Sequence, residues 1–105
     1  SKARFLSAQL DRYLADDRWL ERARQSNANA ARLARRLQAI RGVELIGKVE
    51  INMLFARLPD AAVAALDRGP FRYYKLGLDQ RFVCRHDQEP AGMDLLVTTI
   101  ERALA

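Results

Sequence analysis

A single cysteine and a single histidine stand in this chain of 105 residues, and their scarcity closes several chemical routes. Cys84 has no partner for an internal disulfide, and no thiolate zinc site can form around it. His86 lacks the second histidine or cysteine that a transition-metal site needs. A Cys84/His86 pair would share one face of a strand, but nucleophilic catalysis wants a third, orienting group, and none is near in sequence. Cys84, beside Phe82 and Val83, reads instead as a small buried hydrophobe. No apolar run approaches the roughly 20 residues of a spanning helix, so no membrane segment is expected. The opening Ser1-Lys2-Ala3-Arg4 lacks the apolar stretch of a signal peptide, and the first residue is not methionine. These absences lead us to expect a cytoplasmic protein, and a chain that is a processed product or a piece of something longer. Internal repeats and low-complexity stretches are missing too.

What is present fits one soluble globular domain with a modest core: half the residues are hydrophobic and 30% are charged. The net charge of +5, from 18 basic and 13 acidic residues, permits contact with nucleic acid, so the placement of the charge matters.

The apolar spacing divides the chain into elements. Phe5, Leu6, Leu10, Tyr13 and Leu14 predict a first helix over residues 2–15. A long second helix is predicted over 18–41, with Ala23, Ala30, Leu33, Leu37 and Ile40 forming its apolar stripe and Gly42 ending it in a left-handed conformation. The opposite face carries Arg22, Arg24, Arg32, Arg35 and Arg36. Such a face suits phosphates, but Glu21 and amides interrupt it and no aromatic residues interleave for base stacking. Residues 43–46 predict a short strand. Residues 49–58 predict a stronger one, apolar on both faces around Met53-Leu54-Phe55-Ala56 and therefore inside the sheet. Pro59-Asp60 starts a third helix over 61–67, closed by Gly69. Two more strands are predicted within 71–87, and Asp87-Gln88-Glu89-Pro90 opens a last helix whose stripe is Met93, Leu96, Val97, Ile100, Ala103 and Leu104. The order of elements implies an α+β fold: a small antiparallel or mixed sheet of about four strands with helices packed on one face. The first helix, preceding that unit, is expected to pack against something outside it.

The pair of strands within 71–87 holds the one place where chemistry is expected. Tyr73 and Tyr74 are predicted near the end of the first strand, residues 77–80 form the turn, and Arg81 opens the second strand. An arginine fixed at a strand presents a guanidinium fork that matches a carboxylate through two parallel hydrogen bonds.

End to end, the sequence resembles the C-terminal portion of threonine aldolases of the low-specificity type, which are fold type I enzymes using pyridoxal 5'-phosphate. Ser1-Lys2-Ala3-Arg4-Phe5-Leu6 is similar to the helix that follows the family's cofactor-lysine region. Trp19-Leu20, Asn27-Ala28-Asn29-Ala30 and Leu33 resemble the long helix entering the small domain. Gly42-Val43-Glu44-Leu45 and Val49-Glu50-Ile51-Asn52-Met53-Leu54-Phe55 are similar to the family's PGVEL and VEANMVF strands. Phe71-Arg72-Tyr73-Tyr74 and Arg81-Phe82-Val83-Cys84 resemble its last two.

The resemblance implies that residues 1–16 are a connecting helix from a large domain absent here and that 17–105 form the C-terminal small domain. It implies a lyase cleaving threonine and other β-hydroxy-α-amino acids to glycine and an aldehyde, the cofactor taking up the electrons released. It places Arg81 at the position that holds the substrate α-carboxylate. Arg4 falls near an arginine that reaches the active site of a neighbouring subunit, which implies a homo-oligomer, a dimer or tetramer. No catalytic residue of the family falls in this stretch: its cofactor lysine lies upstream, and Lys2, Lys48 and Lys75 match none of its functional positions. The chain alone is therefore expected to be inactive. Relatives usually carry Ser-Trp where Arg85-His86 stand, and Gly-rich residues at 76–80. A rival reading of the residues, without the resemblance, is a stand-alone basic module that binds an acidic partner or nucleic acid through the arginine face of the long helix.

Overall fold

Helix α1 spans Arg18–Gln38 and turns Ala30, Leu33, Ala34 and Leu37 into the core. The computed structural model describes residues 18–49 and 51–105; the predicted first helix and Arg4 lie outside them. The helix ends three residues earlier than its apolar spacing predicts. The bonds from Ile40 N to Leu37 O and from Val43 N to Ile40 O tighten the chain into three-residue turns. Gly42, at φ +96°, then reverses it, as the sequence predicts.

Strand β1 (Glu44–Ile46) pairs antiparallel with β2 (Met53–Arg57), Leu45 facing Ala56. The second strand is shorter than predicted because side chains take over at both ends. At one end Asn52 Nδ2 donates to Cys84 O at 3.1 Å, while Cys84 N donates to Asn52 O at 2.7 Å. At the other, Leu58 N donates to Gln80 Oε1 at 2.8 Å. That bond, and a second from Gln80 Nε2 to Leu78 O, satisfies both ends of a buried amide.

Helix α2 (Asp60–Asp67) follows Pro59 and buries Ala62 and Leu66. Gly69 follows its end as predicted, its N–H donating to Leu66 O at 3.0 Å, though its φ is not in the left-handed region. A Cβ at Gly69 would lie 2.6 Å from the Phe71 ring, so close approach of that ring is what requires glycine.

Strands β3 (Tyr74–Leu76) and β4 (Asp79–Val83) form a hairpin, and β4 also pairs with β2. The turn is two residues long, not the four of 77–80. Gly77 at φ +60° precedes Leu78 at negative φ, the pattern of a type II′ turn, whose twist matches that of the flanking strands. Asp79 and Gln80 therefore belong to β4. Arg81 is its middle residue rather than its first, and Tyr74 begins β3 rather than ending it.

Helix α3 (Pro90–Leu104) starts with Pro90 in its first turn and buries Met93, Val97 and Ile100. The sheet order is β1-β2-β4-β3, every pairing antiparallel. Because strand side chains alternate, Leu54 and Ala56 of β2 and Phe82 of β4 join the helices in one core. The result is the expected α+β layer, with the long helix preceding a four-stranded sheet and the helices on one face. No described helix is long and apolar enough to cross a membrane.

Candidate functional site

The face of the sheet turned away from the helices carries the residues that alternate with the core. Antiparallel register aligns Ile46 with Phe55, Phe55 with Arg81, and Arg81 with Tyr74, so these four cross the sheet in one row. In a neighbouring row, one step beyond the last β2–β4 pair, Arg57 Nε donates to Asp79 Oδ1 at 2.9 Å. Tyr74, Leu76 and Val83 are exposed on this face, which sets two cations among apolar residues, with the acids Asp79 and Glu44 confined to the Arg57 row.

Those two cations differ in what they touch. Arg57 has its carboxylate. Arg81 has none among the described residues: its Nε is shielded from solvent without a hydrogen-bond partner, and its guanidinium carbon lies over the Tyr74 ring, 4.4 Å from the centroid. Three other cations are tied to acids of the chain, while Arg22, Arg24, Arg32 and Arg35 on α1 stand exposed without one among the described residues. Lys75 Nζ is 2.7 Å from Asp67 Oδ2, Arg85 Nε is 3.0 Å from Asp87 Oδ1, and Arg36 Nη1 is 2.6 Å from Asp94 Oδ1. A shielded N–H left without an acceptor costs about 1–3 kcal/mol, and none of the described residues offsets that cost at Arg81 Nε.

On the helix side, the Tyr73 ring stacks on Phe82, with centroids 5.5 Å apart. Its hydroxyl donates to Asp67 Oδ1 at 2.6 Å, tying the strand to the end of α2. Burial, and then that bond, push the Tyr73 phenol well above its ordinary value. Hydrogen bonds from Lys75 and then Tyr73 hold the Asp67 carboxyl below the usual carboxylate range. A phenol that binds its proton more tightly when folded stabilises the fold below its unfolded value of 10.0, and that contribution drains away as the pH rises beyond it. Asp67 behaves oppositely, contributing above 3.8 and losing the contribution in acid. Tyr73→Phe is therefore expected to show a smaller loss of thermal stability than the unaltered chain between about pH 9 and pH 11, measured by melts across that range. Equal losses in both proteins would remove this role for the phenol.

The other residues weighed from sequence fall into place around this face. Burial raises the Cys84 thiol, the reverse of what a nucleophile needs, and His86 sits in the turn after β4. Of the basic residues on α1, Arg22, Arg24, Arg32 and Arg35 are exposed, and Arg36 bridges to α3. No group of three or more potential metal ligands occurs among the described residues. The position of Tyr74 beside Arg81 was open to sequence reasoning through the turn. Once Gly77-Leu78 is taken as a two-residue loop, counting outward pairs Leu76 with Asp79, Lys75 with Gln80 and Tyr74 with Arg81.

The α+β layer thus packs its helices on one side and on the other holds an arginine whose Nε is shielded and has no acceptor among the described residues. No protein-family model matches the chain. Two curated proteins do, both named low specificity L-threonine aldolase. One, from Pseudomonas sp. (strain NCIMB 10558), is 35% identical over 107 aligned positions that take in 100% of this chain and 31% of that enzyme. The other, from Pseudomonas aeruginosa, is 36% identical over 91 positions, covering 85% of this chain and 26% of that enzyme. The resemblance read from the sequence is borne out, and it is to the C-terminal portion of these aldolases. The chain spans less than a third of the length of the curated relatives it matches.

Proposed function

We propose that this chain, with residues 17–105 as its small domain, is the C-terminal part of a pyridoxal 5'-phosphate-dependent lyase. The proposed reaction cleaves threonine and related β-hydroxy-α-amino acids to glycine and an aldehyde. Arg81 is the substrate-binding residue, gripping the α-carboxylate through its guanidinium fork. The observation that carries this reading is the contrast within one sheet face: Arg57 has an acid at 2.9 Å, whereas Arg81 has a shielded Nε and no acid among the described residues. A bidentate grip fixes the orientation of the amino acid and so of the bond to be broken.

The cofactor supplies an electron sink for cleavage next to the α-carbon. The described residues do not fit it. Its covalent attachment needs a desolvated amine, but Lys75 is bound to Asp67 at 2.7 Å and Lys48 is exposed. The contribution of this chain is therefore binding and orientation of the substrate. The parent is proposed to be cytoplasmic and homo-oligomeric, a dimer or tetramer, with Arg4 reaching a neighbouring subunit's active site.

The test is an assay of the full-length protein with pyridoxal 5'-phosphate for aldehyde release from threonine and from other β-hydroxy-α-amino acids. Glycine and aldehyde appearing in equal amounts support the reading. Binding of the cofactor without aldehyde from any member of the class would sink it.

A further inference from the structure

We propose that Tyr74 is a positioning residue that takes the place of a counter-ion for Arg81, holding its guanidinium without occupying it with an acid. The inference rests on the reading of Arg81 as the carboxylate clamp.

A clamp for an anion meets a design conflict. Its guanidinium has to be held still, yet any acid used to hold it competes with the substrate for the same donors. The row across the open face resolves this with aromatic residues. Tyr74 on β3 and Phe55 on β2 are the two residues directly opposite Arg81 in register. The guanidinium carbon lies 4.4 Å from the centre of the Tyr74 ring, within the range of a cation–π contact. The electron-rich ring face attracts the cation but offers no carboxylate lone pair, so the fork is steadied without being occupied. The adjacent row shows the alternative in the same sheet: Arg57 is steadied by Asp79 and its Nε is consumed. The placement of Tyr74 comes from the hairpin itself. Gly77, at φ +60°, sets a two-residue turn, and that turn sets the register that brings Tyr74 to Arg81. The ring and not the hydroxyl does the holding, so phenylalanine should replace it.

The test is steady-state kinetics of the full-length enzyme with Tyr74→Phe, Tyr74→Leu, Arg81→Ala and the double variant Tyr74→Leu/Arg81→Ala, each checked by melting temperature. Tyr74→Phe is expected to keep the unaltered KM for threonine. Tyr74→Leu is expected to raise KM roughly two- to five-fold, with a smaller change in kcat, as fits the loss of a cation–π contact at an exposed ring. In the Arg81→Ala background the same leucine substitution is expected to add nothing, because there is no guanidinium left to hold. If Arg81→Ala raises KM and Tyr74→Leu does not, the role of Tyr74 is overturned while the clamp stands. An effect of Tyr74→Leu that persists in the Arg81→Ala background, or a Tyr74→Phe variant as impaired as the leucine one, also overturns it. If Arg81→Ala itself leaves KM unchanged, the underlying reading fails first.

Discussion

Arg81→Ala in the full-length protein is expected to raise KM for threonine by about 100-fold, and to lower kcat, without loosening the bound cofactor. Two charge-assisted hydrogen bonds to a carboxylate are each worth roughly 1.5–3 kcal/mol, and each 1.4 kcal/mol is a factor of ten, so the loss of the fork reaches two decades at the low end. The fall in kcat has a separate origin. An amino acid held at one end only samples many rotations of the bond to be broken, and few of them are reactive. Arg81→Lys keeps the charge but not the planar fork and is expected to fall between the two. The visible absorbance of the attached cofactor, recorded beside the kinetics, separates the possible outcomes. Unchanged kinetic constants would remove the clamp. Loss of the cofactor signal would make Arg81 a structural residue of the parent.

Leu54→Ala is expected to cost about 2–5 kcal/mol of stability. Leu54 is 1% exposed, in a strand flanked on both sides, and its side chain meets the helices. Removing three carbons there leaves a cavity that strands paired at both edges of β2 cannot collapse to fill. A domain of this size has roughly 5–15 kcal/mol in total, so the fall in melting temperature should be about 10 °C or more. Val83→Ala makes the control: Val83 is 43% exposed on the open face and its truncation should change little. Urea unfolding of both variants decides the matter. A loss below about 1 kcal/mol for Leu54→Ala would contradict the placement of that side chain in the core.

The layout of the fold was legible wherever a residue's role is set by its neighbours along the chain. Leu33 and Leu37, like Met93, Val97 and Ile100, repeat at helical spacing because one side of each helix is covered, and all five are buried. Gly42 announces a reversal that only a left-handed residue makes cheaply. The hairpin was less legible, because Asp79 and Gln80 look like turn residues locally. Their partners are Arg57 and the Leu58 amide, each 22 positions away, and those long-range bonds draw both residues into β4. Gly69 was legible as the residue after the end of α2, but the nearness of the Phe71 ring that requires glycine there was not. For Arg81 the residue type and strand were readable, but its distinguishing property was not. The lack of an acidic partner is a property of the assembled face, and no spacing rule encodes it.

The outer strands of the sheet have a consequence for how this chain can associate. Both β1 and β3 are three residues long, and Lys75 occupies the centre of β3. A second copy docking strand to strand would find few ladder positions at either rim, and two copies meeting through β3 would bring their ammonium groups together. Fibre-like growth through backbone pairing is therefore blunted at both margins, and the apolar surface around Tyr74 and Val83 can be left bare without the sheet becoming a template for others.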